Sequence, residues 1–205
     1  NHIADGYAQA IICNSGNANT CNADGIEVAE KMAAMTAEAL GIAANDVVVA
    51  STGVIGQPLN LEPIAAGIPV LREQLSADAI GGANAAEAIM TTDTIAKEVA
   101  VSFAIGGKEC KLGGIAKGSG MIHPNMATML VFITTDCAIS SEMLQKALSA
   151  DIKNTFNMVS VDGDTSTNDM VTVLANGMAG NDEIVSEGED FAAFMEALNT
   201  VNVYL

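Results

Sequence analysis

A chain of 205 residues, half of them apolar, is long enough to bury one good core or two small ones. With 3% aromatics and no Trp, that core must be built from Ala, Val, Ile, Leu and Met. Eight Lys and Arg against 25 Asp and Glu give a formal net charge of −17, which excludes the basic patch that nucleic acid or an anionic membrane surface requires.

The elements follow in chain order. Residues 9–13 read as a strand, and 26–40 carry apolar residues at helical spacing up to Gly41, a suitable C-cap. Residues 46–50 are a buried-strand run, and after a Gly-rich turn 61–75 and 83–90 read as helices. Strands 98–105 and 108–113 flank Gly106-Gly107, a two-residue hairpin signal. Residues 128–134 are the next strand, 141–156 an amphipathic helix, 170–175 another strand, and 189–201 a helix inside which the sequence stops at Leu205. Helices and mixed strands without a repeat predict a layered α/β domain. Apolar runs are interrupted by Gly, Asp or Glu well before the ~20 residues of a membrane span, and no secretory segment is legible, so a cytoplasmic location without membrane partners is expected.

Cys13, Cys21, Cys110 and Cys137 match no C-x-x-C or Cys/His metal spacing. Cys13, Cys110 and Cys137 lie in or beside predicted strands and read as buried free thiols. No metal is expected.

The densest chemical signal is Lys117-Gly118-Ser119-Gly120-Met121-Ile122-His123-Pro124-Asn125-Met126-Ala127-Thr128-Met129-Leu130, which sets one threonine between a glycine-rich loop and an apolar run. A break between Ala127 and Thr128 would give Thr128 a free α-amine with a pKa of about 7.7–8.0, able to take its own hydroxyl proton. On its residues alone, Thr128 is equally a strand-edge threonine after an ordinary loop. Ser51-Thr52-Gly53 ends a predicted strand, where backbone N–H groups and the Thr52 hydroxyl suit an oxyanion hole or simply let the chain turn.

Together with Asn14-Ser15-Gly16-Asn17-Ala18-Asn19, Ser51-Thr52-Gly53-Val54-Ile55-Gly56 and the segment from Val161 to Asp169 (V-D-G-D-T-S-T-N-D), the Lys117–Leu130 stretch resembles the ornithine acetyltransferase (glutamate N-acetyltransferase) family of arginine biosynthesis. The four segments occur in the family's order, and the resemblance runs from about residue 10 to the end. It implies two β-sheets between helical layers, and self-cleavage at Ala127-Thr128 into an α-chain part, 1–127, and the start of a β-chain, 128–205. It further implies Thr128 as the nucleophile, Thr52 and Gly53 as the oxyanion hole, and Thr91, Lys117 and Thr128 as substrate-binding residues. The reaction implied is movement of an acetyl group from N2-acetylornithine to glutamate through an acetyl-threonine. No cofactor is needed, acetyl-CoA is a possible second donor, and the complete protein is expected to be an α/β heterotetramer. Since the chain opens on Asn1 and lacks the family's D-G-E-G-A-T-K segment, a fragment without both ends and without activity of its own is the expectation.

Three other readings stand beside this one: an amide hydrolase on the same scaffold, a Mg²⁺ phosphotransferase using Asp162 and Asp164, and an inactive fragment. The Asp162–Asp164 segment lacks the Gly and final Glu of a calcium loop and reads better as a turn that scaffolds the site. In residues 113–119 Lys precedes Gly, so a phosphate-binding loop fails on order. His123 reads as a loop residue.

Overall fold

Runs of β-branched and small apolar residues give the strands here, and stripes of Val, Met and Ala at helical spacing give the helices that cover them. A computed structural model describes residues 2–118, 129–160, 163 and 166–205. It divides into two units, Asn1–Thr91 and Thr92–Leu205.

In the first unit, β1 (Ala10–Asn14) pairs in parallel with β2 (Val47–Ser51), Ala10 opposite Val47 and Asn14 opposite Ser51. The crossover between them is α1 (Gly25–Leu40), which ends where Gly41 turns left-handed at φ 71° and donates its N–H to the Ala37 carbonyl. That C-cap is the one the sequence predicts. Helices α2 (Glu62–Gln74) and α3 (Ala79–Ala88) follow. Ile12, Val28, Met32, Ala37, Val47 and Ile68 form the core of this unit. Helix α3 starts four residues before the predicted 83, because the Asp78 carboxylate accepts the Gly81 N–H at 2.8 Å and so caps a turn whose glycines discourage helix.

The second unit carries a four-stranded sheet in the order β3 (Lys97–Ile105), β4 (Lys108–Lys117), β5 (Leu130–Thr135), β6 (Met170–Ala175). The first two pairings are antiparallel and the last is parallel. Gly106 and Gly107 have φ of 54° and 77°, as a two-residue hairpin with both central residues left-handed requires. Helix α5 (Glu189–Tyr204) packs on β3 and β4, with Phe194, Leu198 and Val201 fully buried against Ile105, Leu112, Val131 and Ile133. Phe103 and Phe194 meet edge to face, ring centroids 6.1 Å apart.

Helix α4 (Ser141–Asp151) is shorter than the predicted 141–156. Thr155 donates its hydroxyl to the Asp151 carbonyl, and the Asp151 carboxylate is taken by Asn199 Nδ2 at 2.7 Å and Asn202 Nδ2 at 2.6 Å. The helix gives way there to two short 3-10 turns, Ile152–Asn154 and Phe156–Met158. The architecture is thus α+β with two sheets, and among the described residues no helix is long and apolar enough to cross a membrane.

Candidate active site

Two of the sequence segments meet in the first unit. The Asn14 side chain closes the turn after β1, its Oδ1 accepting the Gly16 N–H at 3.0 Å and its Nδ2 donating to the Asn17 carbonyl at 2.7 Å. The turn after β2 is laid against it, with Thr52 N donating to Asn14 O at 2.9 Å, Val54 N to Gly16 O at 3.2 Å, and Ala18 N to Val54 O at 2.9 Å. Gly53 sits between these bonds at φ 123°, and a Cβ there would lie 2.1 Å from the Gly16 carbonyl oxygen. Both observations exclude any side chain at this position. Thr52 is 1% exposed. Neither its hydroxyl nor the Gly53 N–H takes part in a hydrogen bond among the described residues. Two adjacent donors on a hydrogen-bonded turn, without a partner among the described residues, suit a developing oxyanion.

The Ala127-Thr128 junction lies outside the described residues, as do His123, Asp162 and Asp164. The residues that flank the junction are described. Strand β5 begins at Leu130, with Met129 outside it; the predicted strand start at Thr128 lies outside the described residues. Lys117, the last residue of β4, is opposite Leu130 and only 3% exposed, which rules out a solvated surface lysine. Gly118 N donates to Asp93 Oδ1 at 2.8 Å, and the same oxygen accepts Lys97 Nζ at 2.6 Å. Met129 N donates to Asp169 Oδ1 at 2.9 Å, while Met129 O accepts the Met170 N–H at 2.9 Å. Each end of the stretch therefore starts from a backbone amide held by a carboxylate.

Burial pushes the Asp169 carboxyl up to about 6 from its ordinary 3.8, opposed by the Met129 N–H, the Ser166 side chain and the charge of Lys117. Its Oδ2 is buried and has no hydrogen-bond partner among the described residues. Thr91 and Thr92 are both exposed, whereas Asp93, two positions after Thr91, is buried. The anchoring role of Asp93 was hidden in a run of Thr and Asp that reads as a helix-end cluster. That of Asp169 was hidden at the end of a turn-rich segment.

The cysteines carry no chemistry of this kind. Cys110 and Cys137 are fully buried, and burial raises both thiols, Cys137 to about 12. Cys13 is half-buried rather than buried, because it is on a strand of the two-stranded sheet, and Cys21 is exposed. Among the described residues no group of three or more His, Cys, Asp or Glu gathers as a metal site would.

The model of the ArgJ family matches residues 1–205. The arginine biosynthesis bifunctional protein ArgJ of Symbiobacterium thermophilum is 53% identical over 201 residues, covering 98% of this chain and 50% of that protein. Its namesake in Caldanaerobacter subterraneus is 52% identical over 198 residues, covering 96% and 49%. The chain thus spans about half the length of the curated relatives it matches. Among solved structures, arginine biosynthesis bifunctional protein ArgJ from Bacillus halodurans superposes with a TM-score of 0.55 at 45% identity, covering 62% of this chain and 66% of that one. Ornithine acetyltransferase from Mycobacterium tuberculosis, solved in complex with ornithine, does so with a TM-score of 0.50 at 30% identity, covering 60% and 65%. With a family match along its whole length and four motifs in order, this chain belongs to the ArgJ family.

Proposed function

We propose that this chain is the part of an acetyltransferase of arginine biosynthesis that supplies the nucleophile and the oxyanion hole, moving an acetyl group from N2-acetylornithine to glutamate. The observation that carries the reading is the turn at Thr52-Gly53, where two donors without a partner among the described residues are fixed by bonds to the Asn14–Ala18 segment. Family membership and the Lys117–Leu130 motif support it.

Maturation comes first. The Thr128 hydroxyl oxygen attacks the Ala127 carbonyl carbon, the Ala127–Thr128 C–N bond breaks, and the hydroxyl proton passes to the leaving nitrogen. Water then opens the resulting ester, leaving a carboxyl on Ala127 and a free α-amine on Thr128. In turnover that amine takes the hydroxyl proton as Oγ attacks the acetyl carbonyl of the donor, and returns it to the departing ornithine amine. The amine of glutamate attacks the acetyl-threonine ester, giving N-acetylglutamate and restoring the hydroxyl. At both tetrahedral stages, charge on the acetyl oxygen is received by Thr52 Oγ and Gly53 N–H. Lys117 is the cation assigned to a substrate carboxylate, and Thr91 stays a substrate-binding assignment resting on the resemblance.

This chemistry uses only groups of the chain. Acetyl-CoA as a second donor, a cytoplasmic location, and an α/β heterotetramer cut between 127 and 128 complete the proposal. Intact mass of the protein expressed from its complete reading frame tests it: wild type should be split before Thr128, and Thr128→Ala should be neither split nor acetylated. Thr128→Ser and Thr128→Cys should retain some cleavage. An Ala variant that is still cut there, or still accumulates an acetyl-enzyme, refutes the assignment.

A further inference from the structure

The segment ending in Asp169 enters the reaction above at no step, yet its last carboxylate is bound to the backbone next to the nucleophile. Met129 N is the amide nitrogen of the Thr128–Met129 peptide bond, so the group that grips it holds the atom to which Thr128 is joined. Asp169 Oδ1 accepts that N–H at 2.9 Å, and the next residue, Met170, donates its own N–H to Met129 O at 2.9 Å. Residue 129 is thus held at both its amide and its carbonyl by two consecutive residues, just ahead of the parallel pair Leu130–Met170.

The carboxylate is not serving only as a tie. Asp93, at the other end of the stretch, is an anchor whose Oδ1 takes both the Gly118 amide and the Lys97 ammonium. Asp169 instead keeps Oδ2 buried without a hydrogen-bond partner among the described residues. A purely structural role is poorly served by burying an acid in this way, since a neutral acceptor would hold the same amide without the cost of desolvating a charge.

On the reading in which Thr128 is the nucleophile, we propose that Asp169 is a positioning residue for it: its ionised carboxylate holds the Met129 amide, the atom to which Thr128 is bonded, and so sets the rate of self-cleavage and of acetyl transfer. An ionised acceptor makes a shorter and stronger bond to an N–H than a neutral one, so the clamp tightens when Asp169 loses its proton. The groups facing the carboxyl are the Met129 amide, the Ser166 side chain and the Lys117 charge, all of which favour the ionised form, while burial opposes it and brings the titration up to about 6. Cleavage is the cleaner readout, because the Thr128 amine that would add its own titration does not yet exist.

The test is self-cleavage followed by intact mass between pH 5 and 8, with protein expressed from the complete reading frame and released from a uncut, denatured stock by refolding. Asp169→Asn keeps an oxygen for the Met129 N–H but cannot ionise, and Asp169→Glu restores the charge at a longer reach. Wild type should slow as pH falls through about 6, whereas Asp169→Asn should cut about 10–100-fold more slowly and without that limb. The Glu variant should recover part of the rate and the limb. In matured protein the Asn variant should lower kcat with KM little changed. Wild type that never cuts removes the Thr128 reading and this inference with it. Wild type that cuts, with an Asn variant matching it in rate and pH profile, removes the inference alone.

Discussion

Gly53→Ala offers the sharpest test of the proposed oxyanion turn, because the obstruction is backbone rather than a side chain able to swing away. The new Cβ would stand 2.1 Å from Gly16 O, 2.5 Å from Gly16 C and 3.1 Å from Asn17 N, at a φ of 123°. Carbon and oxygen approach to roughly 3.3 Å, so the two turns must part by about 1 Å. The 3.2 Å bond from Val54 N to Gly16 O is then lost. Backbone strain of roughly 1–3 kcal/mol and one hydrogen bond of about 1 kcal/mol make a loss of about 2–4 kcal/mol. In a unit of this size that lowers the melting temperature by about 10 °C or more. A 1 Å displacement of an oxyanion donor costs on the order of 100-fold in kcat. Circular-dichroism melting and steady-state transfer from N2-acetylornithine to glutamate read the two effects separately. Gly41→Ala is the control: it is also left-handed, at φ 71°, but has nothing within 4 Å of the added carbon, so it should cost about 1 kcal/mol and leave kcat alone. A Gly53→Ala protein that melts and turns over like the Gly41→Ala control would refute the argument.

If the Thr52 hydroxyl receives the oxyanion as proposed, Thr52→Ala should reduce kcat by about 100-fold with a smaller change in KM, because that contact forms mainly in the transition state; an unchanged kcat takes Thr52 out of the site. Asp169→Asn should stabilise the protein at pH 7.5 while impairing it. The raised carboxyl pKa gives stability that is full below 3.8 and lost as pH rises through about 6, and Asn escapes that loss. After allowing for partial solvent access the gain is about 1 kcal/mol. It should vanish when denaturant melts are repeated below pH 4, and a variant less stable than wild type at pH 7.5 contradicts the account. A thiol reagent on the native protein should label exposed Cys21 first and half-buried Cys13 more slowly. Cys110 and Cys137, whose thiols burial holds high, should react only on unfolding, and rapid native labelling of Cys137 would contradict its burial.

Where local chemistry decides an element, the sequence was readable. Gly41 ended α1 and Gly106-Gly107 turned the hairpin because the left-handed region admits glycine at little cost, and residues 170–175 could be little else than a strand. The errors fall where a side chain from elsewhere competes with the backbone. Residues 152–156 read as continuing the helix, but Thr155 and the pairing of Asp151 with Asn199 and Asn202, some 50 positions away, are invisible to a periodic pattern. Start of α3 was missed for the converse reason: two glycines outweighed a single capping aspartate.

The site divides in the same way. Thr52 and Gly53 were visible as letters after a strand, but spacing could not tell an oxyanion hole from an ordinary turn. The structure adds that Gly53 is packed against Gly16 O too closely for any side chain, and that the donors beside it have no hydrogen-bond partner among the described residues, which supports the proposed oxyanion hole. Lys117 was legible as a cation and not as a buried one, because its burial comes from a position opposite Leu130 in a sheet whose register is set by distant residues. Asp93 and Asp169 lie 25 positions before Gly118 and 40 after Met129, and only folding brings them to those two amides. A candidate nucleophile can therefore be named from its neighbours in sequence, whereas the carboxylates that hold Gly118 and Met129 are a property of the fold. That is why substitutions at Asp169, far from Thr128 in sequence, are the ones expected to separate the alignment of the threonine from its presence.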